Sequence, residues 1–266
     1  MEKEKKSKKF DFWTFCVALL VGAGFLFTVV IASFAFSESV KTYASPRDGS
    51  EDAFTIAMNS HRDYLVVVNE KNPYEFNVGY DRLIKKDLMW LPDCETGELT
   101  PVEKGTATAF LMLQRDLKEQ GLEIGLYSAF RTEGDQEWVY NNYLKHQEEG
   151  DSDYTRLFPS KAAGLSEHHT GLLINFQIFY DYNGDGILEW GTETADRANI
   201  EAFKIIKETA PKYGFIERYP EGKEKITGYP FAPYELRFVG SSEVAYEITS
   251  KDLCLEEYVA KNKKDK

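Results

Sequence analysis

No charged side chain occurs between Phe12 and Phe36. About 20 apolar residues in helical form match the hydrocarbon thickness of a bilayer. The run follows a basic start, MEKEKKSKK, in which Lys3, Lys5, Lys6, Lys8 and Lys9 outnumber Glu2 and Glu4. Excess lysine marks the cytoplasmic side. The expectation is therefore a cytoplasmic tail over residues 1–11, a transmembrane signal anchor over 12–36, and an exported remainder. Ser33-Phe34-Ala35 also reads as a small-x-small site for signal-peptide cleavage, for which this apolar run is long. A buried core helix is the third reading, and the lack of polar relief over so long a run argues against it.

The 266 residues leave room for one ordinary domain beyond that span. Hydrophobic residues at 42% and aromatics at 14% are enough for a core. Formal net charge is −12, and five lysines sit in the first nine residues, so the exported part is more acidic still. Such a surface repels phosphate, which excludes nucleic acid as a partner. Acidic runs such as Glu148–Asp153 read as solvated loops. Cys94 and Cys254 both fall in the exported part, where a disulfide is permitted; two buried free thiols are the alternative.

Residues 37–62 are polar and mixed and read as a stalk or linker. YLVVVNEKNPY (Tyr64–Tyr74) reads as a short buried strand ended by turn residues. ATAFLMLQRDLKEQG (Ala107–Gly121) is helical, with Ala109, Met112, Leu113 and Leu117 on one stripe and Gly121 as its stop. LEIGLYSAF (Leu122–Phe130) reads as a strand that delivers Arg131 at its end. GDQEWVYNNYLKHQ (Gly134–Gln147) is a second helix, and Gly164–Tyr180 holds a polar turn and a strand. A helix near Arg197–Tyr213, strands near Glu235–Val239 and a helical end complete the pattern. Strands scattered between helices without βαβ alternation predict an α+β fold: a small antiparallel sheet with flanking helices, preceded by one transmembrane helix. The domain is expected over residues 63–260, with a charged tail over 261–266.

Three blocks occur in order: SAFRTEGDQ (Ser128–Gln136), GLSEHHTGLLIN (Gly164–Asn175) and YGFIERYPEGKEKITGYPFAPYELRFVG (Tyr213–Gly240). With YLVVVNEKNP they resemble the VanY-type D-alanyl-D-alanine carboxypeptidases, M15 zinc peptidases of bacterial cell walls. The resemblance runs from about Tyr64 to Tyr258. It implies the D-Ala-D-Ala carboxypeptidase/hedgehog-like fold.

The family's second block reads S-x-H-x-x-G-x-x-x-D, whose His and Asp bind zinc. Here the His is His168 and the Asp position is Asn175. Its third block reads E-P-W-H, where Glu is the general base and His the third ligand. Here the general-base position is Ala232 and the ligand position is Glu235. Catalytic zinc takes firm nitrogen, thiolate or carboxylate donors and an open water position, and a neutral amide oxygen is a weak donor. No histidine follows His169, so none substitutes nearby in sequence. Zinc lowers the pKa of a bound water from about 15.7 to about 7, and a general base contributes a further ~10²–10⁴ in rate. The resemblance thus implies a degenerate carboxypeptidase with no catalytic residues, its zinc lost. The rival is an active metallo-carboxypeptidase in which His168, Glu235 and Asn175 hold a harder ion such as manganese. In the bland reading His168 only hydrogen-bonds its surroundings.

The same resemblance matches Arg131, Gln136 and Ser166 to substrate-binding positions, with Arg131 pairing the terminal carboxylate of a stem peptide. Otherwise Arg131 ties a strand end to an acidic neighbour and Ser166 caps a turn. The expected partner is a peptidoglycan stem peptide or a cell-envelope protein, recognised without cutting; a scaffold for an envelope complex is the structural alternative. DYNGDGILEWGTE places Asp181, Asn183, Asp185 and Glu189 at calcium-loop positions 1, 3, 5 and 9, with Gly186 at the sixth and Thr192 where the bidentate Glu belongs. The alternative there is a hairpin tip.

Overall fold

Elements in chain order are α1 (Ala53–Ser60), β1 (Leu88–Pro92), β2 (Leu99–Glu103), α2 (Lys104–Glu119), β3 (Ile124–Ser128), α3 (Glu133–Glu148), α4 (Ser152–Leu157), β4 (Leu173–Tyr180), β5 (Glu189–Gly191), α5 (Glu201–Thr209), β6 (Phe215–Tyr219), α6 (Glu224–Thr227), β7 (Ala232–Phe238), α7 (Ser242–Ser250) and α8 (Leu255–Lys263), with 3-10 turns at Glu167–Thr170 and Ala210–Tyr213. The computed structural model describes residues 53–60, 62–76, 86–181, 189–191 and 201–263. The expected tail, anchor and most of the stalk lie outside the described residues, and no helix among those residues is long and apolar enough to cross a membrane.

Helix α2 is the central support. The Glu103 carboxylate accepts from Thr106 N and caps its first turn, and Gly121 at φ 84° follows its last turn. Ala107, Ala109, Phe110, Leu113 and Leu117 are buried, and Met112 is partly buried against the same cluster. The main sheet is antiparallel in the order β3-β4-β7-β6, with β5 also pairing β4. Strand side chains alternate between faces. Ile174, Phe176 and Ile178 of β4 and Leu236 and Phe238 of β7 therefore enter the core with α2. Each such side chain contributes about 1.5–3 kcal/mol by leaving water. Asn175 and Gln177 on β4, and Glu235 and Arg237 on β7, face the other way.

Several expectations need correction. The stretch Tyr64–Tyr74 is not a strand; its only bridge joins Asn69 to Asn72. Its backbone is bonded by side chains instead: Arg237 donates to the Tyr64 and Val66 carbonyls, and Val68 N donates to Glu167. Within the expected linker, residues 53–60 form helix α1, whose Ala53 and Ala57 are buried against the main cluster. The β1–β2 hairpin is an addition to the expected pattern. The helical end is two helices, α7 and α8, separated at Asp252, which sits at φ 50°.

Candidate functional site

Register puts the first part of the site in a row. Ser128 of β3 lies opposite Asn175 of β4, and Asn175 lies opposite Glu235 of β7. A one-residue slip in any strand would send these side chains into the core. Asn175 Nδ2 donates to Glu235 Oε1 at 3.4 Å, and Asn175 Oδ1 is buried without a hydrogen-bond partner. Glu235 is 2% exposed. Burial pushes its carboxyl up to about 7, against the opposing pull of Arg131, Arg218 and the Asn175 amide.

Arg131 leaves the end of β3 just ahead of α3. The capping box of Thr132 and Asp135 fixes where that helix starts. Gln136 consequently points inward from the first turn and is the one buried residue of α3. Arg131 donates from Nε and Nη2 to Ser128 Oγ at 3.1 and 2.9 Å, and from Nη1 to Gln136 Oε1 at 3.1 Å. Gln136 Nε2 in turn donates to Lys161 O at 2.7 Å and Ser160 Oγ at 3.2 Å. Every one of these acceptors is neutral, so the alternative in which Arg131 ties to an acidic neighbour is not what forms.

The polar turn supplies the histidines. Ser166 caps it by accepting from His168 N at 3.3 Å, the role the alternative reading gave it. Gly171 ends it at φ 71° and admits the sharp entry into β4. His168 Nδ1 bonds the Ala129 carbonyl. A carbonyl only accepts, so Nδ1 carries the hydrogen and Nε2 keeps its lone pair. Burial and the nearby Arg131 hold His168 well below its ordinary value and keep it neutral. His169, to which the sequence assigned no role, is a staple: its Nε2 accepts from Gly164 N at 3.0 Å and its Nδ1 donates to Arg131 O at 2.9 Å. Arg131 N also donates to His168 O at 3.2 Å, so the turn and the end of β3 are fastened together.

Beneath the turn lies an ion cluster that sequence reasoning missed. Glu167 Oε1 accepts from Arg218 Nη2 at 2.8 Å, and Oε2 accepts from Arg237 Nε at 2.9 Å; all three side chains are fully buried. Arg218 also bonds Glu256 at 2.7 Å. Burial pushes the Glu167 carboxyl up, but the two guanidinium groups together hold it below the usual carboxylate range. Arg237, which follows the family's ligand block, is thus structural. The signal was present in SEHH and ELRF, but Glu167 and Arg237 are 70 residues apart and nothing local pairs them.

A small cavity of ≈ 20 Å³ opens above the row, lined among others by Arg131, Gln136, Ser166, His168 and Glu235. Five of the sequence-derived positions are thus brought together. Tyr219 and Tyr229, also missed, form an aromatic wall with ring centroids 4.2 Å apart. Ala232, which the resemblance matches to the general base, pairs with Tyr219 and is wholly buried in the apolar core cluster. Asn183 and Asp185 lie outside the described residues; Asp181 follows β4, whose Tyr180 pairs antiparallel with Glu189. Cys94 and Cys254 are both free thiols.

Do these donors suit zinc? His168 does, since its tautomer leaves Nε2 available. Asn175 and Glu235 do not. The amide turns its nitrogen toward the Glu235 carboxylate and engages it, and the amide oxygen is a neutral donor. The described residues contain no cluster of three or more His, Cys, Asp or Glu arranged to hold a metal. One firm ligand does not make a catalytic zinc site.

The VanY family model, described as D-alanyl-D-alanine carboxypeptidase, matches residues 100–241. The chain belongs to the VanY family. It is 35% identical over 163 residues to the putative carboxypeptidase YodJ of Bacillus subtilis (strain 168), a match covering 61% of this chain and 55% of that protein. It therefore spans about half the length of that relative. It is 33% identical over 147 residues to VanXYC of Enterococcus gallinarum, a bifunctional D-Ala-D-Ala dipeptidase and carboxypeptidase, covering 54% of this chain and 72% of that one. Among solved structures, the LD-carboxypeptidase LdcB aligns with TM-score 0.58 and 26% identity over 82% of this chain and 92% of its own. A VanY D,D-pentapeptidase from a VanB-type resistance cassette, solved with Zn(II), shares the fold at TM-score 0.53 and 24% identity, over 74% and 99% of the two chains.

Proposed function

We propose that this VanY-family protein is an exported, membrane-anchored receptor for D-alanine-terminated peptidoglycan stem peptides that does not hydrolyse them. The observation that carries the proposal is the contrast between the positions matched to ligand binding and those matched to zinc and base. In support of binding, Arg131 is held by Ser128 and Gln136, with no carboxylate bonded to it among the described residues. In support of the absence of hydrolysis, the position the resemblance matches to the base is the buried Ala232, and the two it matches to further zinc ligands, Asn175 and Glu235, bond each other. A preformed guanidinium suits a terminal carboxylate through two parallel hydrogen bonds, and holding it in place before binding lowers the ordering cost. The LdcB structure, which bears on peptidoglycan recognition, and VanXYC, which acts on D-Ala-D-Ala, support the ligand class. The charge-free run from Phe12 to Phe36 supports the anchor.

The test is binding of a fluorescent D-alanine-terminated stem peptide to the purified protein, with release of D-alanine followed in the same sample. Binding without release, lost in Arg131→Ala, is expected. Absence of binding, or binding unaffected by Arg131→Ala, would remove the proposal; release of D-alanine would remove its non-hydrolytic half.

A further inference from the structure

The β1–β2 hairpin has two faces of unlike use. Residues paired directly across an antiparallel ladder share a face, as do residues two apart along a strand. Met89, Leu91 and Val102 lie on the inner face and pack on the core. The pairs Trp90 with Pro101 and Pro92 with Leu99 lie on the outer face, with Leu88 beside Trp90. All five of these side chains are apolar. Trp90 is 53% exposed and Leu99 62%, and the other three are partly exposed. Leu99 is the diagonal neighbour of Trp90, a separation within reach of an aromatic side chain. The remaining exposed large hydrophobics of the described residues stand one to an element. Apolar residues exposed singly are ordinary, whereas a contiguous apolar face marks a contact.

We propose that this outer face rests on the lipid bilayer, in the interfacial layer of the membrane that the anchor crosses. The inference rests on the anchor given to residues 12–36 above and adds a second contact. The place where the chain enters the fold carries it. The described residues begin at Ala53, and a methyl group on Gly105 would lie 3.5 Å from the Ala53 carbonyl oxygen. Gly105 stands two residues beyond the end of β2. The chain thus arrives at the base of the hairpin, whose five-residue strands are each about 17 Å long. Only residues 37–52 separate the expected span from that point, and fully extended they reach at most about 55 Å. A tether that short keeps the hairpin near the bilayer, so a contact too weak to recruit a free protein is still populated. The chemistry of the face fits lipid. Trp concentrates at membrane–water interfaces, where its ring lies at headgroup level. Pro92 and Pro101 lack N–H groups, which disfavours the addition of a strand from another chain. Acids occur only on the connecting turn and are tied back to protein: Asp93 accepts from Glu95 N, Thr96 N and Thr96 Oγ1, and Glu95 accepts from Gln177 Nε2, while Glu98 ends the turn. The turn stays in water and the strands lie along the surface.

Photocrosslinking tests this on the unmutated full-length protein in phosphatidylcholine nanodiscs, with a photoreactive group on the lipid acyl chain and adducts mapped by mass spectrometry. Adducts are expected in two places: residues 12–36, and the strands Leu88–Pro92 and Leu99–Glu103. Trp138, 71% exposed on α3, is the reference and is expected to carry none. With Trp90→Ser and Leu99→Asn combined, the hairpin adducts are expected to be lost while those of residues 12–36 persist. Adducts confined to residues 12–36 would overturn the inference and leave the anchor standing, and that is also the result if a second copy or another protein covers the face. Adducts at Trp138 equal to those at Trp90 would overturn it as unspecific contact. No adducts in residues 12–36 would remove the anchor, and the inference with it. The mapping on the unmutated protein needs no variant, so a misfolded double variant does not blunt it.

Discussion

Glu235→Gln makes a sharp test of how the old ligand position is now held. The carboxyl lies in a 2% exposed site, bonded only by an amide, and its pKa is raised from 4.5 to about 7. The folded state therefore keeps a proton that the unfolded chain has released. For a raised carboxyl the associated stability is fully present below pH 4.5 and is lost as pH rises through 7. At 1.36 kcal/mol per tenfold change in proton affinity, the swing is roughly 3 kcal/mol. Glutamine imitates the protonated carboxyl and does not ionise. Urea unfolding of both proteins at pH 5 and pH 8 measures the effect. The two are expected to match within about 1 kcal/mol at pH 5, and the variant to be the more stable by roughly 2–3 kcal/mol at pH 8. A difference that does not change between those pH values, or a variant that is less stable at pH 8, would refute the argument that Glu235 sits uncompensated.

Two further outcomes follow from other parts of the fold. Glu167→Gln strips the shared counter-charge from Arg218 and Arg237 and is expected to cost about 3–5 kcal/mol in urea unfolding; a cost below about 1 kcal/mol would show that the cluster does not hold the histidine turn. In protein purified without reductant, Cys94 and Cys254 are both expected to react with a thiol reagent after unfolding and slowly before it. Burial pushes their thiols up to about 12 and about 11. Failure of both to react in denaturant would reveal a bridge.

Much of the architecture was legible because it is local. The stripe on α2, the stop at Gly121 and the strand delivering Arg131 all follow from spacing within a few residues. The cavity was legible because Arg131, Gln136, Ser166, His168 and Glu235 sit in blocks whose order resembles a family. What was not legible is non-local. Tyr64–Tyr74 has the composition of a strand, yet its carbonyls are taken by Arg237 from the far end of the chain. Helix α1 reads as polar stalk because only Ala53 and Ala57 of its eight residues are buried. The Glu167 cluster joins positions 51 and 70 residues apart. Periodicity says nothing about such pairs.

The central claim is that the cavity keeps a VanY ligand anchor while its metal and base positions have been exchanged. The most direct measurement is zinc content and D-alanine release for the natural protein beside Asn175→Asp, Ala232→Glu and Glu235→His combined. The account predicts substoichiometric zinc and no release from the natural chain, and restored zinc binding in the triple variant. One tightly held zinc with D-alanine release from the natural chain would contradict it.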